Sequence, residues 1–379
     1  MTIGAAKPVP NPLAMTHDRF AAACLELGIK RPGAMKLYHD ALRHGKLPQP
    51  HASLPVTGAH SEDTPEGVTT KFLTRVDRPS KGPIAGDGRV EHLEVESVII
   101  PMIGRRGART STLCVSSQVG CGMGCGFCET AQMGLIRSLT VDEIVAQWFN
   151  ARFGTPFTEP TVINNIVFMG MGEPMDNPAA VIDAIAILTD HHGPAIPMSK
   201  ITVSTVGRVD GIRKLARAMQ QPGWHRLGLA ISVNAPNDDV RNEIMPINRT
   251  MPMADLRDAL LQVPLGPGKK LCFEYVLIPG VNDRTEHAHE LADYLSPWLS
   301  SSDTPVPRGL VNVIPYNPRR NSPWPAPNEE DVERFIADLI DRGVFVKRRR
   351  TKGRSQMAAC GQLGAAHIRK RRYVGLTTP

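Results

Sequence analysis

From Ser111 onward the chain repeats one pattern: a short apolar run, a loop, then a stretch whose apolar residues recur at helical spacing. The expected strands are Thr112–Ser116, Ile163–Met169, Ile201–Thr205, Leu227–Val233, Leu271–Leu277, Leu310–Pro315 and Val344–Arg348. The expected helices are Thr140–Asn150, Ala179–Thr189, Asp210–Gln220, Ala254–Val263, Glu286–Trp298 and Asn328–Arg342. Thr140 and Glu143 stand three apart, as in a capping box, and Val141, Ile144, Val145 and Trp148 share one face. Alternation of β and α over more than 200 residues predicts an α/β fold. Its parallel sheet carries helices outside and is open or partly closed as a barrel. Ligands in such folds sit at the carboxyl ends of the strands.

Upstream the pattern is different. Residues 1–45 hold a short helical segment, with Phe20, Ala21, Cys24, Leu25 and Leu27 clustered, then Met35, Leu37, Tyr38 and Leu42. Residues 46–68 are rich in Pro, Gly, His, Ser and Thr and read as a linker. Lys71–Val76 and Val90–Ile100 alternate apolar with polar, which predicts a small antiparallel β extension over 69–110. A hydrophobic content of 41% with 21% charge excludes a chain disordered throughout. There is no run of about 18 apolar residues, so no membrane span is expected. Met1–Ala14 has one Lys, several prolines and no apolar core, unlike a secretory signal. The expected location is cytoplasmic. The seven cysteines are therefore expected as reduced thiols, metal ligands or catalysts rather than staples.

Charge is concentrated at one end. Asp341–Pro379 holds eleven basic residues and one acid, so it carries +10 while the rest of the chain sums to −3. A basic end on a slightly acidic body suggests a phosphate-binding face; a solvated tail is the plainer reading.

Directly after the first strand of the array comes Cys121-Gly-Met-Gly-Cys125-Gly-Phe-Cys128. Three thiolates this close can share one soft metal centre, and the glycines let the backbone wrap around it. Two readings follow. One is a structural zinc site completed by a distant His or Cys. The other is an iron–sulfur cluster with one iron left open for a ligand. Gly172 and Glu173 lie in a Gly-rich turn at a strand end, an ordinary turn or a place where backbone and carboxylate meet a ligand.

The stretch Cys114–Arg137 (CVSSQVGCGMGCGFCETAQMGLIR) resembles the RlmN/Cfr family of radical S-adenosylmethionine (SAM) RNA adenine methyltransferases. The resemblance continues through Gly170–Pro174, Val203–Gly207, Leu229–Asn248, Glu274–Asp283, Val311–Pro318 and Ala358–Leu363 (AACGQL), covering about Val90 to Gly364. It implies a partial (β/α)6-type radical-SAM barrel over 111–364, ending in a methyl-carrier loop, with a basic tail at 365–379. It implies that Cys121, Cys125 and Cys128 hold one [4Fe–4S] cluster and that two SAM molecules are used per turnover. Gly172, Glu173, Ser204, Ser232, Val233, Asn234 and Asn317 match the family's SAM contacts. The implied reaction delivers a methyl or methylene group to C2 or C8 of an adenine in RNA. Cys360 would carry the methyl group, Glu96 would accept a proton, and Cys114 would release the product with a transient Cys114–Cys360 disulfide. The implied partners are rRNA or tRNA and an external one-electron donor such as flavodoxin or ferredoxin, with the enzyme a monomer and no membrane involved.

Two positions depart from the family pattern. Asn234 stands where a histidine is usual, and Ser355 where an aspartate precedes the methyl-carrying cysteine by five residues. Only a short helical stretch stands in place of the family's N-terminal RNA-binding domain. The same radical chemistry on a peptide or small metabolite is therefore an alternative, and a basic RNA-binding protein with a structural metal is a third. Cys24 and Cys272 match no motif and are expected as core thiols.

Overall fold

The computed structural model describes residues 8–77, 92–104, 107–300, 306–349 and 363. The chain opens with α1 (His17–Glu26) and α2 (Arg31–His44), where α2 ends on left-handed Gly45. These helices are not a free segment. Phe20, Cys24, Tyr38 and Leu42 are buried in the same core as the barrel helices, and Asp190 accepts from the His17 backbone N–H at 2.8 Å.

Next come β1 (Val56–Thr64), β2 (Gly67–Val76), β3 (Leu93–Ile103) and β4 (Arg109–Cys114). β1 lies inside the stretch expected as a linker. Its polar residues hid it, but among the described residues it is an edge strand that pairs only with β2, across a two-residue Pro65–Glu66 turn. An edge strand with one covered face tolerates such a composition. β2, β3 and β4 pair antiparallel, and through β4 they are continuous with the main sheet.

The hairpin β5 (Gln118–Gly120) and β6 (Leu135–Ser138) forms a separate two-stranded sheet, with α3 (Glu129–Met133) between its strands. Then follow α4 (Val141–Phe153), β7 (Asn165–Phe168), α5 (Pro178–Thr189), β8 (Ile201–Thr205), α6 (Val209–Ala218) and β9 (Gly228–Ser232). The chain continues through α7 (Asp238–Ile244), α8 (Met253–Leu261), β10 (Leu271–Leu277), α9 (Thr285–Tyr294), β11 (Gly309–Pro315), α10 (Glu329–Asp341) and β12 (Val346–Arg348). The sheet order is β1-β2-β3-β4-β7-β8-β9-β10-β11-β12, parallel from β4 onward. Among the described residues β1 and β12 do not pair, so the barrel is partial.

Local chemistry accounts for the boundaries. Glu143 accepts from the Thr140 backbone N–H at 2.9 Å, the half of the capping box that starts α4. The single helix expected over Glu286–Trp298 stops at Tyr294 and gives way to a 3-10 turn, because Pro297 cannot donate to a continued ladder. β4 ends two residues earlier than expected. Ser116 leaves the ladder to donate its hydroxyl to Glu96 O at 2.6 Å and its N–H to Gln147 Oε1 at 2.8 Å. That exit turns the chain toward the cysteine loop.

Candidate active site

The cysteine loop is closed at its base by the β5–β6 hairpin, where the Cys121 N–H donates to Gly134 O at 3.1 Å. Gly120 has φ +74°, and a Cβ there would lie 1.9 Å from Gly134 O, so only glycine permits the closure. Above it the Gly126 N–H donates to Ile244 O at 2.9 Å, and Arg319 Nε donates to Gly126 O at 2.7 Å. The loop is thus fixed by α7 and by the segment after β11. Cys121, Cys125, Cys128 and Phe127 all line one cavity of about 1040 Å³ of empty space up to its open mouth. Burial pushes all three thiols up, and Cys125 and Cys128 push Cys121 further. Three clustered thiols held neutral by burial are a donor set that a soft cation would ionise. The residues therefore fit the metal centre their spacing suggests.

The rest of the cavity is built from the carboxyl ends of the parallel strands: Met169, Gly170, Gly172 and Glu173 after β7, Ser204 and Thr205 on β8 with Val206 just after it, Ser232 and Asn234 at β9, and Asn317 after β11. A Cβ on Gly170 would lie 2.6 Å from Val115 O, and one on Gly172 (φ +97°) 2.5 Å from the Gln118 side chain. These glycines let the β7 turn lie against the strand that leads to the cysteines. Glu173 is buried. Its Oε1 accepts from Met175 N and its Oε2 from Val206 N, both at 2.9 Å. Burial outweighs these bonds and pushes its carboxyl up to about 7.

Asn234 has φ +53°, a backbone region that asparagine tolerates better than most residues. Its Oδ1 accepts from Val276 N at 2.9 Å, and its backbone O accepts from Asn282 Nδ2 at 2.7 Å. The side chain thus ties β9 to β10, a task needing no titratable group. Val233 is buried and is not among the lining residues; its carbonyl accepts from Arg241 Nε at 3.0 Å. Buried Arg241 also bonds Val206 O and Asn248 Oδ1, which fixes the β8 and β9 ends together.

Strand register defines the face that lines the barrel. Cys114 lies opposite Val167 and Val167 opposite Thr202; two residues on, Ser204 lies opposite Ala230, which lies opposite Cys272. Ser232, Glu274 and Asn312 form the next row. Cys114 therefore shares its face with the serines of the cavity. Glu96, two residues from Val98, which pairs with Cys114, shares it too. Both are buried and neither is among the residues lining the cavity.

Several residues here were not singled out from sequence. Glu274 lines the cavity and accepts from Asn312 Nδ2 at 2.9 Å; Arg349 Nη1 lies 3.7 Å from Glu274 Oε2. Cys272 is half-buried rather than a core thiol, with Sγ 3.4 Å from Glu274 Oε1. Burial, then Glu274, push its thiol up. Cys24 is in the core, as expected. Arg348 and Arg349 are not merely solvated cations. Arg348 bonds Glu329 and Glu333 on α10 at 2.8 and 2.7 Å, and Arg349 lines the cavity. Arg350, Ser355, Cys360 and the tail at 365–379 lie outside the described residues. Leu363, three residues after Cys360, is buried at the cavity, and its carbonyl accepts from Thr130 Oγ1.

A partial parallel barrel with a three-thiol loop after its first parallel strand defines a radical-SAM protein, and residues 115–292 match the Radical SAM superfamily. A crystal structure of a radical SAM methyltransferase from Sphaerobacter thermophilus superposes with a TM-score of 0.75 at 33% identity, covering 93% of this chain and 98% of that one. The probable dual-specificity RNA methyltransferase RlmN 1 of Protochlamydia amoebophila is 40% identical over 315 residues, 82% of this chain and 77% of the relative. The dual-specificity RNA methyltransferase RlmN of Syntrophotalea carbinolica is 39% identical over 308 residues, 81% and 72% of the two chains. The chain belongs to the RlmN family of radical-SAM RNA methyltransferases. It is a SAM-dependent methyltransferase whose cofactors are one [4Fe–4S] cluster and SAM, two molecules per turnover.

Proposed function

We propose that this enzyme methylates C2 or C8 of an adenine in rRNA or tRNA, through a methyl group carried on Cys360. The observation that carries this reading is convergence. The three thiols, Glu173, Ser204, Ser232, Asn234 and Asn317 meet in one cavity, and Leu363, three residues after Cys360 in the sequence, lines the same cavity. Three residues of chain span at most about 11 Å.

Cys121, Cys125 and Cys128 would hold the cluster, and Gly172, Glu173, Ser204, Ser232, Asn234 and Asn317 would face SAM, with Val233 behind them, its backbone bonded to Arg241 and Glu274. Cluster and SAM together supply the one-electron chemistry that a non-nucleophilic ring carbon requires. The chain does the rest. Glu173 accepts from the ammonium of SAM, a role suited to a carboxylate already oriented by two N–H groups. Glu96 takes the proton from the modified carbon. The Cys114 thiolate attacks the sulfur of Cys360 in the protein–RNA thioether; an S–S bond forms as the carbon–sulfur bond breaks, and the released carbon keeps that electron pair and takes up a proton to become the methyl group. The resulting Cys114–Cys360 disulfide would be reduced by thiol–disulfide exchange with an external dithiol before the next turnover.

We also infer a cytoplasmic monomer served by an external one-electron donor of the flavodoxin or ferredoxin type. No helix among the described residues is long and apolar enough to cross a membrane. Mass spectrometry of RNA nucleosides from cells with and without the gene tests the function. A methyladenosine that disappears with the gene supports it, and unchanged rRNA and tRNA nucleosides refute it.

A further inference from the structure

The lumen face near Glu96 carries a cation that neither the motifs nor the reaction so far employs. β2, β3 and β4 set Lys71, Val98 and Cys114 side by side in one row, because Val98 pairs with Lys71 on one side and with Cys114 on the other. Glu96 is two residues along β3, on the same face and diagonal to both. Lys71 Nζ lies 3.5 Å from Glu96 Oε2, and the two side chains are 16% and 5% exposed. Glu96 is further held by its backbone: its carbonyl accepts from Ser116 Oγ, and its N–H meets Met171 Sδ at 3.4 Å. The backbone is thus fixed from two sides, and Lys71 reaches the carboxylate.

We infer that Lys71 is a positioning residue for product release: it holds the Glu96 carboxylate in its charged form and aims it across the lumen face. This rests on the reading of Glu96 as proton acceptor. A buried carboxylate without a nearby cation loses its charge or turns toward another partner, and either change removes the base. Lysine suits the task because its long stem can lie along apolar surface while its charge meets the carboxylate.

The test uses the full chain, reconstituted without oxygen and given bulk rRNA and tRNA from cells lacking the gene. Lys71→Met, Lys71→Arg, Glu96→Gln and the Lys71→Met/Glu96→Gln double variant are compared. Covalent protein–RNA adduct is read on denaturing gels, Cys360 methylation by peptide mass spectrometry, and folding by thermal melting. Lys71→Met should accumulate adduct as Glu96→Gln does, with release slowed by about tenfold or more. Cys360 methylation should be unchanged. Lys71→Arg should restore most of the release rate, and the double variant should be no slower than Glu96→Gln alone. Normal release in Lys71→Met beside a trapped Glu96→Gln overturns the inference and leaves the Glu96 reading standing. Normal release in Glu96→Gln overturns both. A double variant slowed by the product of the single effects shows Lys71 acting apart from Glu96 and also overturns it. If Lys71→Met folds poorly, Lys71→Gln is read in the same assay.

Discussion

Glu173 carries a measurable signature of its burial. Its carboxyl sits at about 7 in the folded chain against 4.5 ordinarily. The folded state therefore binds this proton more tightly than the unfolded state. The stabilisation is whole below about pH 4.5 and is lost as pH rises through about 7, up to about 3 kcal/mol. In the metal-free protein, Glu173→Gln should remove that slope from stability measured by denaturant titration across pH 4.5–7. An identical slope in the variant would place the proton elsewhere. Cys114 calls for a different readout. If its thiolate releases the product, Cys114→Ala should methylate Cys360 normally and then accumulate a covalent RNA adduct that collapses on nuclease treatment. Normal turnover without adduct would return Cys114 to a core role. Both residues were legible in the sequence through their motifs. Lys71 and Glu274 were not singled out for the site, because a single charged residue in a strand looks the same whether it faces solvent or the lumen; Arg349 was read only as part of the basic C-terminal end.

Among the elements, the β5–β6 hairpin decides whether the three thiols can converge. Gly120→Ala would place a methyl group against Gly134 O, and relieving that contact costs about 1–3 kcal/mol of local strain. The expected result is a folded barrel with a displaced cysteine loop. Iron and sulfide after anaerobic reconstitution should fall well below the about four of each expected for the native chain, with only a modest loss in melting temperature. Full iron content in the variant would show that the loop closes by another route. The spacing of the cysteines was readable without a structure, but the hairpin was not. Its strands are short, three and four residues, and too brief for periodicity to register. β1 was missed for a related reason: its edge position allows a polar composition, and composition was the cue used for 46–68.

Across the whole molecule, the positive end of the sequence divides into parts with different duties. Arg348 is already neutralised by Glu329 and Glu333, and Arg349 faces the cavity beside Glu274. Phosphate contact is therefore expected to depend more on Arg369, Lys370, Arg371 and Arg372 than on the 348–350 run. Replacing those four by Gln should flatten the salt dependence of RNA binding by up to about three to four on a log–log plot, whereas Arg348→Gln should change it by less than one. A larger effect from Arg348→Gln would mean that RNA displaces the α10 carboxylates. The α/β alternation and the three-cysteine motif were set by local pattern, since the helical period, the strand period and short spacings are properties of a few adjacent residues. Which residues face the lumen was decided by strand register, which links segments tens of residues apart. Lys71 meets Glu96, Arg349 meets Glu274 and Asn234 ties β9 to β10 only once the strands have paired in register, because burial and long-range pairing belong to the folded chain.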